Sequence, residues 1–181
     1  MARRSLLETT AVKLGRRPRT DAKRHIPVEM EPQQEPNWCW AAVTCSVARF
    51  YDSTSPWKQC ALANAELGQT TCCDDGGSDA CNRPWVLDAP LTRVGHLQKA
   101  VANAVGFDAV VGEIDASRPL CARIAWSDGV SAHFVVLSGY SQDVQFVDVD
   151  DPANGPSTTT YTGFRDAYRG SGTWTHSYLT E

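Results

Sequence analysis

The stretch Asn37-Trp38-Cys39-Trp40-Ala41-Ala42-Val43-Thr44-Cys45-Ser46-Val47-Ala48-Arg49-Phe50-Tyr51 constrains the fold more than any other part of the chain. Trp40, Val43, Val47, Phe50 and Tyr51 recur at helical spacing, and Asn37 stands where an N-cap would. The pattern predicts a buried helix with Cys39 in its first turn. Val94, Leu97, Val101 and Val105 repeat the helical spacing up to Gly106, which reads as a C-cap, whereas residues 57–90 read as loop. Three strand-like runs follow at 120–126, 133–140 and 144–151, then a short helix around Phe164, Ala167 and Tyr168 and a closing strand at 174–179. Helices first and antiparallel strands later indicate an α+β fold. With 181 residues, 42% of them hydrophobic, one core is expected.

Residues 1–25 differ from the rest. They hold Arg3, Arg4, Lys13, Arg16, Arg17, Arg19, Lys23 and Arg24 against Glu8 and Asp21, with few large apolar side chains. They are expected to form a basic, disordered tail, because they bury too little to offset the entropy of ordering. Such a tail permits contact with nucleic acid or an anionic membrane surface, a translocation signal, a propeptide or no single partner. The folded domain is placed at 26–181, after which Pro27, Pro32 and Pro36 enforce extended backbone. Since the net charge is −4 despite that tail, the body is acidic and nucleic acid is not an expected partner. No apolar run is long enough for a membrane span, and no Sec-type signal is visible, so secretion or translocation would need another route.

The runs at 133–140 and 144–151 bring chemistry together. If Ser141-Gln142-Asp143 forms a three-residue turn, Tyr140 faces Val144, Leu137 faces Val147, Val135 faces Val149 and His133 faces Asp151. A slip would substitute Asp148 or Asp150 for Asp151. A carboxylate beside an imidazole fixes its tautomer and leaves the other ring nitrogen free to act.

Seven cysteines leave at least one thiol without an intrachain partner. Cys60, Cys72, Cys73 and Cys81 crowd one loop region, where two bridges allow three connectivities and the adjacent pair more readily bonds outward. A zinc site on these four, with His96, is disfavoured by the lack of any paired C-x-x-C. Cys45 and Cys121 read as buried thiols or a third bridge, and Cys39 as the free one. Disulfides would imply an oxidising destination. The acidic segment 74–79 lacks the ligand spacing of a calcium loop, and no phosphate-binding glycine motif appears, so neither metal nor cofactor is expected.

A thiolate, not a thiol, is the nucleophile, and a helix N-terminus plus a nearby imidazolium both favour it. Cys39 with His133 and Asp151 therefore fits an acyl-transfer hydrolase, the Cys39 backbone N–H and the amide of Gln33 or Gln34 being available to an oxyanion.

The order of Gln33, Trp38-Cys39-Trp40-Ala41-Ala42, His133-Phe134-Val135-Val136-Leu137-Ser138-Gly139-Tyr140 and Asp151-Pro152 resembles the papain-like cysteine peptidases, nearest the small bacterial branch related to plant-pathogen effector proteases, with bacteriocin leader peptidases as more distant kin. The resemblance runs from about residue 32 to 180. It implies a helical half carrying Cys39, packed against an antiparallel sheet half carrying His133 and Asp151, with a cleft between them for a protein or peptide substrate. It implies Gln33 as the oxyanion glutamine, with Gln34 as the alternative, and an Asp rather than an Asn as third residue. Relatives usually carry glycines where this chain has Val130-Ser131-Ala132, and the bulkier backbone is expected to narrow the cleft. The same residues also suit a deubiquitinase-like isopeptide or other amide hydrolase, or an acyl transferase. A rival of another class is an inactive, disulfide-stapled binding module in which Cys39 only packs.

Overall fold

The computed structural model describes residues 22–181, and the expected tail up to residue 21 lies outside the described residues. The elements in chain order are β1 (Lys23–His25), α1 (Cys39–Tyr51), α2 (Gln59–Leu67), α3 (Asp88–Arg93), β2 (Lys99–Val101), α4 (Phe107–Asp115), β3 (Leu120–Trp126), β4 (Ala132–Ser141), β5 (Phe146–Asp151), β6 (Gly155–Thr160), α5 (Tyr161–Ala167) and β7 (Gly172–Leu179). All strands join one antiparallel sheet ordered β2-β7-β3-β4-β5-β6, with β1 paired to the end of β4. The architecture is α+β.

Helix α1 packs on β4, with α2 and α3 beside it. It is buried continuously from Cys39 to Ala48, so its polar groups must be satisfied internally. Thr44 Oγ1 donates to the Trp40 carbonyl (2.8 Å) and Ser46 Oγ to the Ala42 carbonyl (2.7 Å), one turn back. Among the described residues no helix is long and apolar enough to cross a membrane.

Several expectations are corrected. Residues 23–25 are not tail but a strand, each residue pairing with one of Gly139–Ser141 along the edge that β3 vacates after Leu137. The folded unit therefore begins before residue 26. Helix α2 occupies part of the expected loop; only Gln59, Leu62 and Ala63 are buried along it, too few to show a period. Gly68 closes it in the left-handed conformation (φ 66°), and a disulfide fixes its flank. The supposed helix over Val94 to Val105 breaks at Gly95 (φ 84°) and becomes edge strand β2, while Gly106 starts α4 instead of ending a helix.

The β4–β5 hairpin also departs from the simple register. Its connection spans 142–145 with Gln145 left-handed (φ 49°), so Ser141 pairs with Phe146. A bulge between Leu137 and Gly139 then shifts the ladder, placing Leu137 opposite Val149 and Val136 opposite Asp150. His133 and Asp151 consequently meet diagonally across the strands, not directly opposite one another.

The four clustered cysteines form Cys60–Cys73 and Cys72–Cys81, which uses the sulfurs that a zinc site would need. Cys39, Cys45 and Cys121 are free and buried. Burial, reinforced by Glu31, pushes the Cys45 thiol up to about 12, and burial raises Cys121 as well, so neither is a ready nucleophile.

Candidate active site

Cys39 is the first residue of α1, where backbone N–H groups have no intrahelical acceptor. Its position is set by its neighbours. The indole N–H of Trp38 donates to the Cys81 carbonyl (2.8 Å) and that of Trp40 to the Arg83 carbonyl (3.0 Å). Asn37 donates its backbone N–H to Asn82 Oδ1 and its side-chain amide to the Asn82 carbonyl, both at 3.0 Å. Asn37 is thus no N-cap, a correction of the sequence reading: its side chain clamps α1 to segment 81–83, which the Cys72–Cys81 bridge holds in turn. The two buried tryptophans, needing both apolar cover and an acceptor, are what make this grip on Cys39 directional.

His133, 8% exposed, sits near the start of β4 with Nε2 2.7 Å from Asp151 Oδ1. Cys39 acts on the same ring, whose Nδ1 is the nitrogen not bonded to Asp151. Asp151, 1% exposed, is the hub of the second shell of contacts. Its Oδ1 also accepts from the backbone N–H of Ala153 (2.8 Å) and Asn154 (3.1 Å), and its Oδ2 from Asn154 Nδ2 (2.9 Å) and Tyr168 Oη (2.8 Å). Arg169 Nε lies 3.5 Å from Oδ2. The indole of Trp126 stacks on His133 (centroids 6.3 Å, 24° between planes) and on Tyr168 (6.4 Å, 26°).

Burial works against charge on both members of this pair. For His133 the hydrogen bond to Asp151, the interaction with Cys39 and the negative charge of each overcome burial and raise the imidazole to about 9. For Asp151 the bond to His133 and its charge, with the donors at Asn154 and Ala153, overcome burial and hold the carboxyl well below the usual range. An imidazolium–carboxylate pair is the state favoured at neutral pH.

The other expected residues separate cleanly. Asp148 bonds Thr158 Oγ1 (2.7 Å) and His25 Nδ1 (3.3 Å), away from His133. Asp150 is buried, its carboxyl raised by burial, with Oδ2 unbonded. Neither replaces Asp151. Gln33 lines the cleft beside Cys39, whereas Gln34 is exposed and tied by its backbone N–H to Gln59 Oε1 (3.0 Å). The Gln33 amide does not point its N–H groups at the sulfur, however: Nε2 donates to the carbonyls of Glu35 (3.0 Å) and Pro36 (2.7 Å), and Oε1 is buried without a hydrogen bond.

Cys39 and His133 open into a cleft of about 1000 Å³ between the helical and sheet halves. Gln33, Asn37, Trp85 and Val86 line it from the segments before α1 and α3, and Arg123, Trp126, Phe134 and His176 from strands β3, β4 and β7. Trp85 is fixed by its indole N–H to Glu66 Oε2 (3.0 Å). The 130–132 segment stands on the rim with Val130 90% exposed, so its bulk lies at the mouth of the cleft.

Sequence reasoning did not reach Trp126, Asn154, Tyr168 or Arg169. Asn154 had a signal, since Asp151-Pro152-Ala153-Asn154-Gly155 is a turn in which an Asp side chain accepts from the following N–H groups. The others reach the site through tertiary packing alone.

A thiol opening a buried helix and facing a histidine on an antiparallel sheet across a cleft is the layout of a papain-like cysteine peptidase. The chain belongs to the family described as papain-like cysteine protease AvrRpt2, whose model matches residues 20–169, and it is a cysteine peptidase. Among solved structures it is similar to a double glycine motif protease from an AMS/PCAT transporter in complex with the leader peptide (21% identity over 89% of this chain and 95% of that one, TM-score 0.48). It is also similar to the peptidase domain of Streptococcus mutans ComA (15% identity, 84% and 98% coverage, TM-score 0.48). A third is xylellain, a cysteine protease from Xylella fastidiosa (9% identity, 87% and 85% coverage, TM-score 0.49). No curated protein matches significantly.

Proposed function

We propose that the chain hydrolyses peptide bonds of a protein or peptide substrate through Cys39, His133 and Asp151, by way of an acyl-enzyme. The observation that carries this is the position of His133, bonded through Nε2 to a buried carboxylate and lining the same cleft as Cys39. The Cys39 sulfur, as a thiolate beside the His133 imidazolium, attacks the scissile carbonyl, and His133 gives its proton to the leaving amine as the C–N bond breaks. Water, deprotonated by His133, then attacks the thioester and releases the acid and Cys39. Asp151 keeps the imidazole oriented and stabilises its charged form in both steps.

The oxyanion would take the Cys39 backbone N–H at the helix start. Gln33 would contribute once its amide turns over, exchanging the Glu35 and Pro36 carbonyls for the oxyanion and moving Oε1 out of its unbonded position. An open cleft with apolar Trp85, Val86 and Phe134 and polar Arg123 and His176 suits an extended peptide with mixed side chains.

The acyl-enzyme is testable directly. After mixing with a library of short peptide esters and acid quenching within seconds, mass spectrometry should find acyl additions on the peptide containing Cys39. Additions confined to Cys45 or Cys121, or none at all while esters are consumed, would refute the reading.

A further inference from the structure

We propose that Arg169 is a positioning residue of this site: its guanidinium offsets the charge of Asp151, so that the His133 imidazolium acts on the Cys39 sulfur with its field largely intact. The inference rests on the triad reading above and adds a fourth, charge-setting member to it.

The charge count creates the need. A neutral amide as third residue leaves a thiolate–imidazolium pair with no net charge. A carboxylate at that position leaves the site with one surplus negative charge, buried, and it cancels much of the imidazolium field that favours an ionised sulfur. The groups in contact with Asp151 are His133 from β4, Asn154 and the Ala153 N–H from the turn after β5, and Tyr168 and Arg169 after α5. Among these, Arg169 alone carries a charge that does not take part in proton transfer.

The backbone is arranged to deliver it. Tyr168 and Gly172 exchange N–H···O bonds of 2.7 and 2.8 Å, closing a short loop in which Arg169 adopts φ +50°. That conformation disfavours a side chain as bulky as arginine. It directs consecutive side chains at the same oxygen, with Tyr168 Oη at 2.8 Å and Arg169 Nε at 3.5 Å from Asp151 Oδ2, and the guanidinium 5.7 Å from the Tyr168 ring centroid. Arg169 does not line the cleft, so it acts through Asp151 and not on substrate. Its side chain is 40% exposed, and solvent screens it, which limits the expected shift to about half a pH unit.

The test is the pH dependence of iodoacetamide alkylation of Cys39 in the full chain. Arg169→Gln should move the acid limb upward by about half a unit, slowing alkylation on that limb about three-fold, while Arg169→Lys keeps it in place. Arg169→Asn, suited to the left-handed backbone, supplies a second uncharged variant if Gln unfolds the loop. Unchanged limbs in both uncharged variants, or an equal shift in the lysine variant, would overturn the proposal while leaving the triad standing. A wild-type profile that His133→Ala does not alter would instead remove the triad reading on which it rests.

Discussion

Cys39→Ala is expected to reduce peptide hydrolysis to background, a loss of at least about 10⁴-fold in kcat/KM, with the fold intact. The sulfur is the atom that forms the covalent intermediate, and no other thiol can substitute: burial raises both Cys45 and Cys121 far above neutrality. The fold should tolerate the change because alanine is the best helix former, the side chain lost is small, and the grip on α1 comes from Asn37, Trp38 and Trp40. Turnover of a peptide mixture, read by mass spectrometry alongside circular dichroism, checks both halves. Residual turnover within ten-fold of wild type would contradict a nucleophilic Cys39, and lost helicity would contradict the packing argument.

Asp151→Ala should lower kcat by about 10²–10⁴-fold and also cost about 3–5 kcal/mol of stability. The double effect follows from what converges on that carboxylate. Its removal leaves the His133 imidazolium, the Tyr168 hydroxyl, the Asn154 amide and two backbone N–H groups without their acceptor. Asp151→Asn keeps the shape but not the charge, and should recover more stability than activity.

The pH dependence of stability separates the two partners. Asp151 is depressed, so its contribution is present above its ordinary value of 3.8 and is lost as pH falls through the lower folded value. His133 is raised, so its contribution is complete below its ordinary 6.5 and is lost as pH rises through about 9. Denaturant unfolding should therefore show the wild-type advantage over Asp151→Ala greatest between about pH 4 and 6.5 and shrinking towards pH 9. An advantage independent of pH would mean the pair is not ionised in the folded chain.

The parts of this molecule that can be read from sequence are those whose burial is one-sided or complete. Strand β3 and the start of β4 show as apolar runs, and α1 shows as a helical period ending in aromatic residues. Helix α2 escapes notice because its buried apolar face is only Leu62 and Ala63, with the Cys60–Cys73 bridge adding a covalent tie. Strand β6 reads Gly155-Pro156-Ser157-Thr158-Thr159-Thr160, half-buried at a sheet edge where polar side chains suffice. Within the site, the meeting of His133 with Asp151 is legible from strand periodicity, and the bulge near Ser138 that makes it diagonal is marked in the sequence only by Gly139 inside the apolar run. The shielding indole of Trp126 and the donors at Tyr168 and Arg169 depend on how β3 and the loop after α5 fold back, which no spacing along the chain encodes.

A sulfur made reactive by the imidazole across the cleft is the centre of the mechanism. Limiting iodoacetamide at pH 6, followed by peptide mapping, measures this most directly. Cys39 should be alkylated well ahead of Cys45 and Cys121, and His133→Ala should abolish its lead. Equal labelling of Cys39 with and without His133, in proteins that remain folded, would contradict it.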